Sequence, residues 1–173
     1  MKKSLDEKFF SYFIKKSMEL VKNNKHPFLQ NYIPPKCKNI SSNKEIRGVN
    51  YLLVQYQNIQ NNNSETLFIN NHEKNSLNLN LKENSYGIVI KDNNYELIIP
   101  LNKIKNSKEL FDSQKFLNYE QKDFDKSKSF CFEFFNALEK KELYTPKEGL
   151  KKELINILKN NPDFFLECIS KYN

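Results

Sequence analysis

Asn39-Ile-Ser-Ser-Asn-Lys-Glu-Ile-Arg-Gly-Val-Asn50 is the stretch on which the fold turns. It reads as a turn followed by a basic, glycine-hinged loop, not as packed core, because Ser-Ser-Asn is turn chemistry and Gly48 frees the backbone for close approach. Lys44 and Arg47 make that loop suited to a polyanion. Immediately downstream, Val49, Leu52, Leu53 and Tyr56 recur at helical spacing, although Tyr51-Leu-Leu-Val-Gln-Tyr56 is equally a strand by propensity. Immediately upstream, Pro27, Pro34 and Pro35 lie among Lys25, Lys36 and Lys38, so residues 27–47 predict an extended basic loop.

Further out, the N-terminal segment opens with Ser4-Leu-Asp-Glu7, a capping box, and Phe10, Phe13, Ile14, Met18 and Val21 then follow at helical spacing. A helix over 5–23 is expected, ended by Asn23-Asn24 and Pro27. Towards the C-terminus, Asn58–Ser64 is polar and predicts a loop, and Thr66-Leu-Phe-Ile69 a short strand. Tyr86-Gly-Ile-Val-Ile-Lys91 and Tyr95-Glu-Leu-Ile-Ile-Pro-Leu101 flank Asp92-Asn-Asn94, residues that tolerate positive backbone dihedrals, which predicts a hairpin. Another strand is expected over 115–119. Beyond 126 the dense apolar face of Phe130, Cys131, Phe134, Phe135 and Leu138, the Thr145-Pro-Lys-Glu148 cap and the Asn161-Pro-Asp163 start signal predict three helices.

These readings give an α+β fold: an N-terminal helix, a small mostly antiparallel sheet with a hairpin near 86–101, and a helical C-terminal tail. A chain of 173 residues is near the size of one domain, so a single globular unit is expected, with residues 126–173 as an extension packed on the domain formed by 1–125. With three glycines, its turns must lean on Asn, and the abundance of Asn, Lys and Ile fits an AT-rich genome. No apolar run approaches the roughly 20 residues of a membrane span, and Met1-Lys-Lys3 leads into an amphipathic pattern and not a signal core, so a cytoplasmic location in a host cell and no membrane partner are expected. Cys37, Cys131 and Cys168 are odd in number and widely spaced, which argues for reduced structural thiols over a disulfide framework or a zinc site.

The excess charge is concentrated. Residues 1–50 hold 11 Lys and Arg against 4 Asp and Glu, whereas 51–110 balance 6 against 6 and 111–173 balance 11 against 11. A basic patch is an electrostatic footprint for phosphate and excludes an acidic DNA mimic; a solvated helix face with scattered lysines accounts for the same numbers. Enzyme motifs are missing. His72-Glu73 begins a zinc-protease pattern, but position 76 is Ser and the other histidine is His26. There is no glycine-rich phosphate loop, no Gly-x-Ser-x-Gly elbow, and Glu120 with Asp123 reads as a solvated strand end and not a metal pair. The expectation is a non-enzymatic binder with no cofactor and no metal.

Asn39, Ser42, Lys44, Arg47, Gly48, Val49 and Asn50 follow a pattern of the form Pro-x-Asn-x-x-Thr-Gly-Lys-x-Tyr-Arg-Gly-Ile-Asn, and Leu117, Asn118, Tyr119, Glu120 and Gln121 follow a later Phe-Asn-Val-Glu-Gln strand. In both respects residues 5–122 resemble the N-terminal single-stranded-DNA-binding domain of ArdC-type antirestriction proteins of plasmids and phages. Asn43 stands where that family has glycine, Ile46 replaces a tyrosine that offers a stacking ring, Pro27-Phe28 stands for Pro-Trp, and the glycines of the family near Asn78 and Asn84 are missing. The resemblance implies a helix after the basic loop and a binding module without the C-terminal metallopeptidase domain that many relatives carry.

What such a module needs is cations along phosphates and flat rings against unpaired bases, each stacked base being worth ~1–3 kcal/mol. Lys36, Lys38, Lys44 and Arg47 can track the backbone, Gly48 can let it approach, and Phe28, Tyr32 and Tyr51 are the candidate rings. Two roles fit Arg47, a phosphate contact or a salt bridge, and two fit Asn50, a base-edge hydrogen bond or a loop brace. Asn39, Asn118, Glu120 and Gln121 read as braces between remote segments. The expected partner is single-stranded DNA or RNA; a host restriction or CRISPR nuclease, bound directly with the C-terminal tail as docking surface, is the competing expectation.

Overall fold

The computed structural model describes residues 4–29, 36–107 and 150–171. They divide into two compact units, one comprising Met1–Pro34 with Asp125–Asn173 and the other Pro35–Phe124. The first helix therefore groups with the C-terminal helices and not with the sheet, so the segment read as 1–125 is shared between units. The architecture is α+β. The expected strand over 115–119, the Phe130–Leu138 helix, the Thr145 cap, Cys131 and Tyr32 lie outside the described residues.

In the helical unit, α1 runs Leu5–Lys22 and begins as its capping box dictates: Glu7 N–H donates to Ser4 Oγ at 3.1 Å and Ser4 N–H to Glu7 Oε2 at 2.8 Å. Its innermost line is Phe9, Phe13, Ser17, Leu20 and Val21, while Phe10, Ile14 and Met18 are half-buried. The buried line is rotated from the expected stripe, taking in Phe9, Ser17 and Leu20 in place of Phe10, Ile14 and Met18. Ser17 can occupy the interior because its hydroxyl donates to Phe13 O at 2.9 Å. α1 packs against α4 (Leu150–Asn160), which is joined by Asn161 to α5 (Pro162–Lys171). Pro162 at the first helical position gives up no hydrogen bond there, and Phe165 N–H donates to Asn161 O at 3.4 Å. Leu154, Ile157, Leu158, Phe164, Phe165 and Ile169 are buried.

The other unit is a five-stranded sheet in the order β2-β1-β3-β5-β4, with β1 (Cys37–Asn39), β2 (Lys44–Ile46), β3 (Leu67–Asn70), β4 (Ile88–Lys91) and β5 (Tyr95–Pro100). Only the β1–β3 pair is parallel, so the sheet is mostly antiparallel. α2 (Gly48–Gln60) covers one face with Leu52, Leu53, Val54 and Tyr56, all buried; a segment apolar on nearly every side is a core helix, which resolves the helix-or-strand ambiguity. It runs on to Gln60, so the loop expected from Asn58 starts later. On the opposite face Ile69 and Ile99 pack with Leu79, Leu101 and Ile104, contributed by the stretch after the short helix α3 (Asn71–Ser76) and by the turn after β5.

Residues 37–46 are a hairpin, not an extended loop. Cys37, Asn39 and Ile46 point inward and Lys38 and Glu45 outward, a period of two that the prolines and lysines of the sequence obscured. Asn39 and Ile46 are 3% and 5% exposed, so the stretch from 39 to 50 does contribute core. Asn43, at φ 56°, supplies the left-handed residue of the four-residue turn, whose closing bond runs from Asn43 N–H to Ile40 O. Asn78 and Asn84, where the resemblance implies glycine, also have positive φ, at 51° and 57°. α1, α2 and α3 all end alike: Asn24, Asn62 and Asn78 take the left-handed position, and the next N–H reaches back to Leu20 O, Asn58 O and Lys74 O respectively. By contrast none of Asp92, Asn93 and Asn94 has positive φ; the 86–101 hairpin exists, but its turn is closed by Asp92 N–H donating to Asn94 O at 3.2 Å.

Candidate nucleic-acid interface

The β1–β2 hairpin sorts the expected cations onto two sides. Lys38 lies opposite Glu45 in register, and Lys36 and Arg47 continue the same alternation, so these four share the face turned away from Cys37 and Ile46. Glu45 sits between two of them: Lys36 Nζ is 3.3 Å from Glu45 Oε1, and Arg47 Nη2 is 3.4 Å from Glu45 Oε2. Of the two roles foreseen for Arg47, the salt bridge is the one the structure forms, on a face that it shares with Lys36 and Lys38. Lys44 stands apart, its Nζ 3.5 Å from Asp92 Oδ2 in the β4–β5 turn; with both partners more than half exposed, that pair is weak.

Gly48 and Asn50 lie in the first turn of α2, directly after this hairpin. Gly48, buried and at φ 58°, makes the left-handed step from the extended Arg47 into α2 that a Cβ disfavours. Two residues on, Asn50 Nδ2 donates to Lys91 O at 2.7 Å and Lys91 N–H donates to Asn50 Oδ1 at 3.0 Å. The amide mimics a neighbouring strand residue and closes the backbone edge of β4, so the brace is the role that the geometry realises. Asn39 is a brace as well. Its Nδ2 donates to Glu96 Oε2 at 3.1 Å, its Oδ1 accepts from Ser41 N–H at 3.1 Å, and Asn70 Nδ2 donates to Glu96 Oε1 at 2.7 Å. Ser41 Oγ in turn accepts from Asn70 N–H at 2.8 Å, tying the hairpin turn to the end of β3. Glu45, Asn70 and Glu96 were not singled out in the sequence, and Ser41 and Asp92 were read there as turn residues alone; the Lys-x-Lys and Glu-x-Arg spacings at 36–38 and 45–47 were the available signal for Glu45.

Of the candidate rings, Phe28 is displaced from the role. It is 5% exposed in the helical unit, with His26 and Phe165 rings 4.9 Å and 6.2 Å away, because a proline-started 3-10 turn at Pro27–Leu29 folds it inward. Tyr51 is half-buried on α2. Tyr95, which the sequence reading passed over, is half-buried on the outward face of β5, with Lys91 Nζ 5.6 Å from its ring centroid. Asn118, Glu120 and Gln121 lie outside the described residues.

Other chemistry in the described residues is structural. Burial pushes the Cys37 thiol well up, reinforced by Glu65, while Gln55 Nε2 donates to its sulfur at 3.4 Å; Cys168 is a second buried free thiol. Tyr86 is raised by burial, partly offset by the Asn63 amide that donates to its hydroxyl oxygen at 2.7 Å. No group of three His, Cys, Asp or Glu able to hold a metal ion occurs among the described residues, and none of their helices is long and apolar enough to cross a membrane. No family model, curated protein or solved structure matches this chain.

Proposed function

We propose that this chain is a non-enzymatic binder of single-stranded nucleic acid, acting inside a host cell in the antirestriction service of a phage or plasmid. The observation that carries the reading is the grouping of Lys36, Lys38 and Arg47 on one face of a short hairpin with Glu45. Three cations on one face of a strand pair can neutralise successive phosphates, and Tyr95 offers a ring on the same sheet face. The resemblance of residues 39–50 to the ArdC-type signature supports the biological setting.

Fluorescence anisotropy with single-stranded DNA, double-stranded DNA and single-stranded RNA across a salt series tests it. Three phosphate contacts at about 0.7 each give a log–log salt slope of about −2 for a single strand. Tight single-strand binding with that slope, lost in Lys38→Glu/Arg47→Glu, is expected; affinity that barely changes with salt sinks the reading.

A second reading, direct inhibition of a host defence nuclease, is favoured by one observation. Val89 and Leu97, opposite each other on β4 and β5, are 49% and 39% exposed and make an apolar pair of the kind a protein partner covers. It requires a stoichiometric complex with the nuclease that survives digestion of free nucleic acid.

A further inference from the structure

We propose that Glu45 is a built-in competitor for phosphate, and that Lys36 and Arg47 form a fork whose ligand is one phosphodiester group of the bound strand. The proposal rests on the single-strand-binding reading above and adds the residue that sets its affinity. The two cations flank the open end of the hairpin, just beyond the Cys37–Ile46 pair, and converge on the Glu45 carboxylate, Lys36 Nζ at 3.3 Å from Oε1 and 3.4 Å from Oε2 and Arg47 Nη2 at 3.4 Å from Oε2. A phosphodiester presents the same pattern, two non-bridging oxygens sharing one negative charge, so the carboxylate fills the place that one phosphate would take. Lys38, opposite Glu45 in register, completes the cation set on that face.

The two links to the carboxylate differ in exposure. Arg47 is 54% exposed, so its link to Glu45 contributes little to stability, whereas Lys36 and Glu45 are 20% and 21% exposed, and the Lys36 link is the one that phosphate must chiefly replace. The carboxylate tempers affinity: each cation held by Glu45 must exchange an intramolecular partner for phosphate, which weakens binding without touching the fold.

The test is anisotropy with a short labelled oligothymidine on the full chain, comparing wild type, Glu45→Gln, Lys36→Gln/Arg47→Gln and the triple variant, with Glu83→Gln as a control for loss of any exposed carboxylate. Glu45→Gln is expected to tighten binding about fivefold to tenfold, with the salt slope steepening by no more than the ~0.7 of the one phosphodiester contact at the fork. In the Lys36→Gln/Arg47→Gln background the same change should shrink to the effect of Glu83→Gln. Wild-type binding with no tightening in Glu45→Gln, or equal tightening in both backgrounds, overturns the competitor while leaving the binding reading intact. Absence of binding by every variant, each confirmed folded by circular dichroism, overturns both. Excess inorganic phosphate at constant ionic strength should leave oligothymidine binding unchanged; displacement by it would make the fork a small-anion site and refute the phosphodiester assignment.

Discussion

His26 shows how one side chain can link composition to stability. It is fully buried between the rings of Phe28 and Phe165, and its Nδ1 accepts the Phe28 N–H at 3.2 Å. Burial holds its pKa at about 3, against 6.5 for an ordinary histidine. Protonation would place a charge in an apolar pocket and remove the acceptor that Phe28 N–H needs. Between these two values the unfolded chain binds a proton that the folded chain does not, so stability is full above pH 6.5 and falls as the pH drops towards 3, by ~1.4 kcal/mol per unit. Urea titrations from pH 7 to pH 5 should therefore show a loss of about 2 kcal/mol in the wild type and a much smaller one in His26→Gln, whose amide can still accept from Phe28. Equal losses in the two proteins would show that His26 is not the group responsible. The sequence offered no sign of this, because a lone histidine before Pro27 is indistinguishable from a solvated one until α5 is seen to place Phe165 against it.

At the scale of elements, much was legible, and for identifiable reasons. The α1 cap could be read because Ser4 and Glu7 act within one helical turn, and the α5 start because Pro162 works locally. The 86–101 hairpin was legible from its paired apolar runs even though its turn uses different backbone geometry from that expected. What failed were features decided by partners distant in sequence. Cys37–Ile46 becomes a hairpin because β3 supplies a strand for β1 to pair with, and Phe28 is buried by a helix that begins far along the chain. Asn50 belongs to this class: nothing near it announces that its amide will close the edge of β4 at Lys91. Asn50→Ala deprives both backbone groups of Lys91 of that partner, at about 1–2 kcal/mol for two hydrogen bonds at a partly wetted edge. Hydrogen exchange of the Lys91 amide should speed up by about tenfold or more as that strand end opens more readily. If the rate is unchanged, water serves the edge as well as Asn50 does, and the base-edge role regains ground.

For the whole molecule, the decisive quantity is where the positive charge resides. The first fifty residues look like one basic patch in sequence, yet residues 1–25 carry 7 cations against 3 carboxylates and residues 36–50 carry 4 against 1, and the two sets belong to different compact units. On α1 the exposed Lys8, Lys15 and Lys22 recur every seven residues, so they form one row with neighbours ~10 Å apart, about a Debye length at physiological salt. Lys16 is tied to Glu19 at 3.2 Å. On the hairpin, Lys36, Lys38 and Arg47 instead share one face with Glu45, and Lys44 lies on the other side. Charges spread along a row attract a polyanion weakly and without fixing its position, whereas charges grouped on one face replace condensed counterions one for one. Charge reversal separates the two contributions at equal change in net charge. Lys8→Glu/Lys15→Glu should weaken single-strand binding severalfold and leave the salt slope nearly unchanged, while Lys38→Glu/Arg47→Glu should abolish binding at physiological salt and, where binding can still be measured at low salt, remove about 1.4 from the slope. Equal losses from both pairs would mean that net charge alone draws the ligand, and the hairpin would then be a structural element that happens to be basic.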